Sequence, residues 1–347
     1  MRLAAFVLVF ALGTTAAAAP QLEVQEFAAT GSMPKGVTLS PDGQHLYVTN
    51  FGQRNGKNIS IYDARTLAHE HDIDVPGIVV ESVFSGDGSI LYASNFDRDS
   101  VQLIDTRTRR VTREIHVGLH PKILTLSKDG KTLFAANWNG NSVSEIDLAR
   151  GVTVRTHPAG VHPRGMVLTQ SGFLYVANFD GETLDVFHGP GFEQNYTLAV
   201  CRIPRHLVLA PDERTLYLSC YHDSQLWALD LTGTSERANH IVDIGKFPKS
   251  IDVSRDGKYV YSADYGTSNS VSVVDTSDWS ATTYTVPGME RGSGIAVLPD
   301  GKHAAVTGWC DNHVYLVGIV GSGGHPRETA EKLRTLPHAH CMTAYQP

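Results

Sequence analysis

The chain of 347 residues has a formal net charge of −7, with 41% hydrophobic and 19% charged residues, which is the composition of an ordinary globular protein. An acidic balance argues against general binding to nucleic acids or anionic membranes, because both need many Lys and Arg side chains facing phosphates. We therefore expect no nucleic-acid partner, and the sequence leaves the oligomeric state open.

The N-terminal segment has the pattern of an export signal. Arg2 supplies a positive charge, residues 3–12 form an apolar run, and residues 16–19 are alanines suited to cleavage. The apolar run is about half the length that a bilayer-spanning helix needs, which disfavours a membrane anchor. We predict a signal peptide at 1–18 and a periplasmic or secreted protein without a membrane span.

A repeat of 41 to 45 residues fills most of the remaining chain. Its turn marker recurs seven times, at Asp42, Asp87, Asp129, Ser171, Asp212, Asp256 and Asp300. In chain order, each repeat has an apolar first strand, an Asp-Gly-type turn, a β-branched and aromatic second strand, a third strand and a more polar fourth strand. Four strands repeated seven times predict an all-β, seven-bladed β-propeller over residues 19–320.

The two ends of the repeat region predict how the ring closes. The seventh repeat lacks an obvious fourth strand, whereas residues 22–29 precede the first repeat and have the pattern of an outer strand. We predict that this N-terminal strand completes the last blade. The tail at 321–347 begins with a Gly-Ser-rich linker, and we predict that it packs on or near the propeller.

Several strand motifs resemble those of a known family. Residues 47–50 (Tyr-Val-Thr-Asn), 175–178 (Tyr-Val-Ala-Asn) and 270–275 (Ser-Val-Ser-Val-Val-Asp) resemble the YVTN-repeat β-propeller family. The resemblance implies an exported seven-bladed propeller. It implies no single function, because the family includes proteins of mostly unknown role and its relatives include haem-carrying and lactone-cleaving propellers.

Cationic residues recur where the first strand of a repeat begins. The cations are Lys35, Lys122, Arg164, Arg205, Lys249 and, near the same place in the seventh repeat, Arg291. The second repeat has Val80 followed by Glu81 instead. If these side chains point inward, they form a cationic mouth that attracts an anionic ligand. Alternatively, they pair with Asp97, Asp180, Asp223 or Asp264 of neighbouring blades, or extend into solvent.

An aromatic residue follows the second strand in all seven repeats. These residues are Phe51, Phe96, Trp138, Phe179, Tyr221, Tyr265 and Trp309. Such a ring could stack on a planar ligand, or it could pack between blades. We favour packing, because such a position more often packs between adjacent blades.

Histidines and cysteines offer further candidates at the same face. His206 and His222, together with Glu81, are the candidate acids or bases of a catalytic alternative. These histidines come from different repeats and lack the short spacing of metal ligands, so we predict no metal site. Because an exported protein meets an oxidising compartment, the four cysteines predict two disulfides, Cys201–Cys220 and Cys310–Cys341.

The leading hypothesis from the sequence is an exported, non-enzymatic binding module. Its channel mouth would hold a small anionic or planar ligand, or a protein partner. The alternatives are a lyase or lactonase that uses the same pocket, and a carrier of non-covalent haem or a metal. The sequence identifies no particular cofactor and leaves catalysis undecided.

Overall fold

Seven antiparallel sheets of four strands each make up the computed structural model, which describes residues 21–319 except 55, 234 and 235. The predicted all-β, seven-bladed propeller is thus confirmed. The predicted signal peptide and tail lie outside the described residues, and their boundaries stay predictions. No helix in the described ranges is long and apolar enough to cross a membrane.

The first four blades follow the chain from the innermost strand to the outermost. Blade one contains β2 (Pro34–Leu39), β3 (His45–Asn50), β4 (Ile59–Asp63) and β5 (His69–Ile73). Blade two contains β6 (Val79–Phe84), β7 (Ile90–Asn95), β8 (Ser100–Asp105) and β9 (Arg110–His116). Blade three contains β10 (Pro121–Leu126), β11 (Thr132–Asn137), β12 (Ser142–Asp147) and β13 (Val152–Pro158). Blade four contains β14 (Pro163–Leu168), β15 (Leu174–Asn178), β16 (Thr183–His188) and β17 (Gln194–Ala199), with a short 3₁₀ helix at Pro190–Phe192.

The remaining blades repeat this order, and the last one closes the ring. Blade five contains β18 (Pro204–Leu209), β19 (Thr215–Cys220), β20 (Gln225–Asp230) and β21 (Arg237–Asp243). Blade six contains β22 (Pro248–Val253), β23 (Tyr259–Asp264), β24 (Ser270–Asp275) and β25 (Ala281–Thr285). Blade seven contains β26 (Gly292–Val297), β27 (His303–Gly308), β28 (His313–Ile319) and the N-terminal β1 (Leu22–Ala29).

Blade seven confirms the predicted closure by an N-terminal strand. Strand β1 pairs antiparallel with β28, so that Leu22 faces Ile319 and Ala29 faces His313. This pairing covers the outer edge of β28, which would otherwise expose unpaired backbone groups. The chain therefore fastens its N-terminal strand to its last repeat.

Apolar side chains fill the spaces between neighbouring blades. Tyr47 and Ile61 of blade one, for example, form one buried cluster with Val79 and Leu91 of blade two. Because each sheet is covered on both faces, the inner strands are apolar on both sides and do not alternate. The innermost strands in turn contact one another in a ring, β2, β6, β10, β14, β18, β22 and β26.

Candidate functional site

The register of every innermost strand is irregular at its start. In blade one, Pro34 pairs with Asn50 but Val37 pairs with Val48, so an extra residue lies between them. The same irregularity occurs in the other six blades. A β-bulge bends a strand and redirects its side chains. Here the bulge contains the position that Lys35 occupies, so the recurring cation lies at the mouth of the channel.

A glycine allows the innermost strands to approach closely at this point. A Cβ atom on Gly165 would lie 2.7 Å from the Arg205 carbonyl oxygen of the next blade. Real Cβ atoms do not approach a backbone atom this closely, and the backbone cannot move aside as a flexible side chain could. The absence of a side chain therefore brings Arg164 and Arg205 to the same part of the channel.

Five of the six predicted cations line one cavity of about 790 Å³, namely Lys35, Arg164, Arg205, Lys249 and Arg291. Lys122 is absent from the lining of this cavity and is only 1% exposed. Lys35, Arg164, Arg205 and Lys249 are also at most 6% exposed. The structure thus brings together the positions that the sequence singled out.

Aromatic rings separate the cations around the mouth. Lys35 Nζ lies 4.4 Å from the ring centroid of Phe51, and Lys122 Nζ lies 3.3 Å from that of Trp138. Arg205 Cζ lies 4.7 Å from the ring centroid of Tyr221. A cation over the negative face of an aromatic ring is stabilised electrostatically. The aromatic residues that recur after the second strands therefore stabilise the cations electrostatically.

Packing between blades is the second role of these aromatic residues. Phe51, Trp138, Phe179 and Trp309 are buried, and the ring centroids of Phe51 and Trp309, from adjacent blades, lie 5.5 Å apart. Burial of these large aromatic side chains stabilises the packing of neighbouring blades. This arrangement agrees with the packing interpretation that the sequence favoured.

The cations do not pair with the acidic residues suggested as an alternative. Asp97 contacts Arg54, Asp180 contacts His162, and Asp223 contacts Arg202. The fourth suggested partner, Asp264, accepts hydrogen bonds from three serine hydroxyls. Among the described residues, no ion pair within 4 Å includes any of the six cations. The pairing interpretation is therefore wrong for these four carboxylates, which have other partners.

Burial destabilises the protonated cations of the mouth, which outnumber the nearby carboxylate of Glu81. Burial, followed by repulsion from Arg164, holds the pKa of Lys35 and of Lys122 well below the ordinary value. Burial also lowers the pKa of Arg164 to about 10. Within the part of the chain that is described, Lys122 Nζ, one terminal nitrogen of Arg164 and Nε of Arg205 are buried without any hydrogen-bond partner. Buried donors without a partner are rare in folded proteins and need an explanation.

A second cavity, of about 320 Å³, lies between the innermost strands and contains Glu81, His206 and Asp252 in its lining. Burial raises the pKa of Glu81, and attraction to Lys35 opposes that effect. Burial, then repulsion from Arg164 and Arg205, lowers the pKa of His206 to about 4. His206 is therefore neutral at neutral pH.

The catalytic candidates are not all brought together. Glu81 and His206 share the second cavity, whereas His222 is exposed and is absent from the linings of both cavities. A mechanism that uses His222 with the other two residues has no support in this geometry. Glu81 and His206 stay candidates only for chemistry inside the channel.

Two blades depart from the cationic pattern. In blade seven, Gly292 pairs with Gly308 as Pro34 pairs with Asn50, so Ser293 takes the place of the cation. Arg291 lies two residues earlier, in the loop, and reaches the cavity from the rim. In blade two the apolar Val80 belongs to a buried cluster with Phe51 and Trp309. At this strand position the cations therefore come from blades one and three to six, and blade seven contributes Arg291 from its loop.

Histidines at the rim form stacks that the sequence did not reveal. His120 stacks on Phe96 at 4.3 Å between centroids, and His162 stacks on Trp138 at 4.6 Å. In both cases the histidine of one blade covers the aromatic residue of the preceding blade. The signal for these stacks in the sequence was the recurring His-Pro pair, whose proline begins β10 or β14.

The cysteine prediction is confirmed where the structure tests it. Cys201 and Cys220 form a disulfide that joins the loop before β18 to the end of β19. Cys310 is disulfide-bonded as well, and Cys341, its predicted partner, lies outside the described residues.

Across residues 21–319, apart from the three gaps, no group of three or more His, Cys, Asp or Glu side chains is arranged to hold a metal ion.

Comparisons with known proteins show the fold alone. The chain matches no protein-family model and no curated protein. Hydrazine synthase of Kuenenia stuttgartiensis is similar in structure, with 19% identity and a TM-score of 0.72 over 90% of this chain and 99% of that chain. The β-propeller domain of Cps50 (Swd1) from Myceliophteria thermophila is similar at 15% identity and a TM-score of 0.74, over 86% and 100% of the two chains. Membership of the YVTN-repeat family stays a prediction.

Proposed function

We propose that this chain is an exported binding module that holds a small, multiply charged anion at the cationic mouth of its channel. The observation that carries the proposal is a group of buried cations that outnumber the nearby carboxylate of Glu81 and form no ion pair among the described residues. Burying an unpaired charge is costly. Lys35, Arg164, Arg205 and Lys249 all carry that cost, and a bound anion would remove much of it.

The cavity supports a ligand of organic size. Its volume of about 790 Å³ lies in the range of sites for small organic molecules. Arg164 and Arg205 present planar donors that suit carboxylates or phosphates. With Lys35, Lys249 and Arg291 on the same cavity, a ligand with two or more negative groups would be held better than one with a single charge.

Export is the second part of the proposal. The apolar run at 3–12 suggested it, and the Cys201–Cys220 disulfide is consistent with it. Structural disulfides form mainly in oxidising compartments. The proposed site of action is therefore the periplasm or the extracellular space.

Calorimetry with citrate, a flexible trianion, tests the binding proposal directly. The Arg164→Gln/Arg205→Gln variant should bind citrate at least about tenfold more weakly than the wild type, since charge-assisted hydrogen bonds each contribute about 1.5–3 kcal/mol. The control is Arg202→Gln, which removes an exposed charge that pairs with Asp223. Citrate binding that is undetectable in the wild type, or equal in the double variant, would contradict the proposal.

A further inference from the structure

Two lysines line the cationic cavity, and among its cationic residues only the lysines can supply a nucleophile. Lys35 and Lys249 share the cavity with Arg164, Arg205 and Arg291. A neutral amine attacks carbonyl carbon, whereas a guanidinium stays charged and binds anions. The cavity therefore combines groups that bind a carboxylate with groups that can react with a carbonyl.

Lys249 has the surroundings that favour a neutral amine. Its Nζ lies 4.3 Å from the Tyr265 ring centroid and 4.1 Å from that of Trp309. Among the described residues no hydrogen bond or ion pair to Nζ is present. Burial, and next repulsion from Arg205, lowers the pKa of Lys249 well below its ordinary value. A lysine that is desolvated and lies beside another cation is the form used for covalent catalysis.

The other two lysines of the mouth are less suitable. Glu81 lies near Lys35, and the attraction between them favours the charged form of the amine. Lys122 is only 1% exposed and does not belong to the cavity lining. For Lys249, the attraction to Glu81 is weaker than each of the repulsions from neighbouring cations. Lys249 thus combines access to the cavity with surroundings that favour the neutral amine.

Arginines lie on both sides of Lys249. Lys249 lies in blade six. Arg205 lies in blade five, and Arg291 lies in the loop that leads into blade seven. The innermost strands of these blades contact each other. The Tyr265 ring lies 5.1 Å from Arg291 Cζ and 4.3 Å from Lys249 Nζ. A carboxylate held by these arginines would place an adjacent carbonyl near the amine.

We propose that Lys249 forms an imine with the carbonyl carbon of a 2-oxo acid whose carboxylate is held by Arg205 and Arg291. The proposal rests on the anion-binding function above. The amine lone pair attacks the carbonyl carbon, and the carbonyl oxygen takes up protons and leaves as water. A neutral amine and a ketone thus give a C=N bond and one water molecule, so no oxidant or reductant takes part.

Reductive trapping tests the proposal on the intact protein. The probe is 2-oxoglutarate with sodium cyanoborohydride, followed by peptide mass spectrometry. We expect one reduced adduct, on the peptide that contains Lys249. Lys249→Arg keeps a basic side chain but should lose the adduct, whereas Lys258→Arg, which changes an exposed lysine, should retain the adduct. In parallel, calorimetry measures binding of 2-hydroxyglutarate, which has the same carboxylates but no ketone.

The outcomes separate the two proposals. A Lys249 adduct that exceeds those on exposed lysines at least tenfold supports the imine. Adducts on Lys35 alone, or spread evenly over exposed lysines, overturn it. If 2-hydroxyglutarate binds but no adduct forms, the imine is wrong and anion binding stands. If neither citrate nor 2-hydroxyglutarate binds and no adduct forms, both proposals are wrong. Because the wild-type adduct is mapped directly, the test does not depend on the folding of a variant.

Discussion

Lys122 Nζ lies 3.3 Å from the centroid of the Trp138 ring and has no hydrogen-bond partner among the described residues. The ring compensates only part of the cost of removing the ammonium from water, because a cation–π contact contributes about 2 kcal/mol when desolvated. The buried cation at the mouth of the channel therefore lowers the stability of the ligand-free protein. Residues that oppose stability in this way are frequent at binding sites.

Replacing this lysine with an apolar residue of similar length should stabilise the ligand-free protein. We expect Lys122→Met to raise the free energy of unfolding by about 1–3 kcal/mol at neutral pH, since apolar replacement of buried charge is often stabilising. The pKa of Lys122 is lowered in the folded state, so the cost is complete below that pKa and falls as the pH rises toward the unfolded value. Urea unfolding at several pH values measures the difference.

A matched variant shows whether the burial of Lys122 causes the expected gain in stability. Lys128→Met changes an exposed lysine in the turn after β10 and should alter stability by less than about 0.5 kcal/mol. A Lys122→Met protein that is less stable than the wild type at neutral pH would mean that the Trp138 contact outweighs desolvation.

Blade six carries a buried carboxyl where blades one to four carry an amide. Asp264 accepts hydrogen bonds from Ser262, Ser270 and Ser272, and burial raises its pKa to about 7. The protonated form is favoured in the folded state, so the stability it contributes is lost as the pH rises from about 4 to about 7. Asp264→Asn should abolish this loss, which is up to about 4 kcal/mol. Thermal unfolding across that pH range measures it.

The reverse exchange in blade three is the control. Asn137 occupies the equivalent strand position and donates from Nδ2 to Ser142 and Ser144. Asn137→Asp should introduce the same loss of stability with rising pH. Parallel pH profiles for the wild type and Asp264→Asn would show that Asp264 does not titrate in this range.

The contact at Gly165 gives a direct link between packing and the site. Gly165→Ala would place a methyl group 2.7 Å from the Arg205 carbonyl oxygen, so β14 and β18 must separate. We expect a loss of about 1–3 kcal/mol of stability and weaker citrate binding, because Arg164 and Arg205 move apart. Gly86→Ala, where a Cβ atom meets nothing within 4 Å, should change neither quantity. Unchanged binding by Gly165→Ala would show that the spacing of the arginines is not critical.

The repeat explains how much of this arrangement the sequence could predict. Period, strand order and ring closure all follow from local patterns that recur seven times, so the fold was predictable. The cation at Lys35 and its equivalents was visible for the same reason. The Cys201–Cys220 disulfide followed because both residues lie near the same end of one repeat.

Features without a local pattern were not predictable. The β-bulge that redirects Lys35 depends on the pairing of two strands, which the order of residues in one strand does not show. Ser293 in place of a cation became evident only from the register of β26 with β27. The partners of Asp97 and Asp223 were missed because each is contacted by an arginine outside the repeating position, Arg54 and Arg202.

Anion binding at this mouth should be coupled to the uptake of protons. The pKa values of Lys35 and Lys249 are lowered by burial and by repulsion within the cluster. A bound anion favours their protonated forms, and the affinity should therefore increase as the pH falls through the folded-state pKa values of these lysines. The raised pKa of Glu81 acts in the same direction, since protonation removes the negative charge of this carboxylate near Lys35. Citrate titrations in two buffers that differ in ionisation enthalpy measure the protons taken up. We expect uptake in the wild type and less uptake in Lys249→Met, whereas binding enthalpies that are independent of the buffer would show that the lysines keep their charge before the anion arrives.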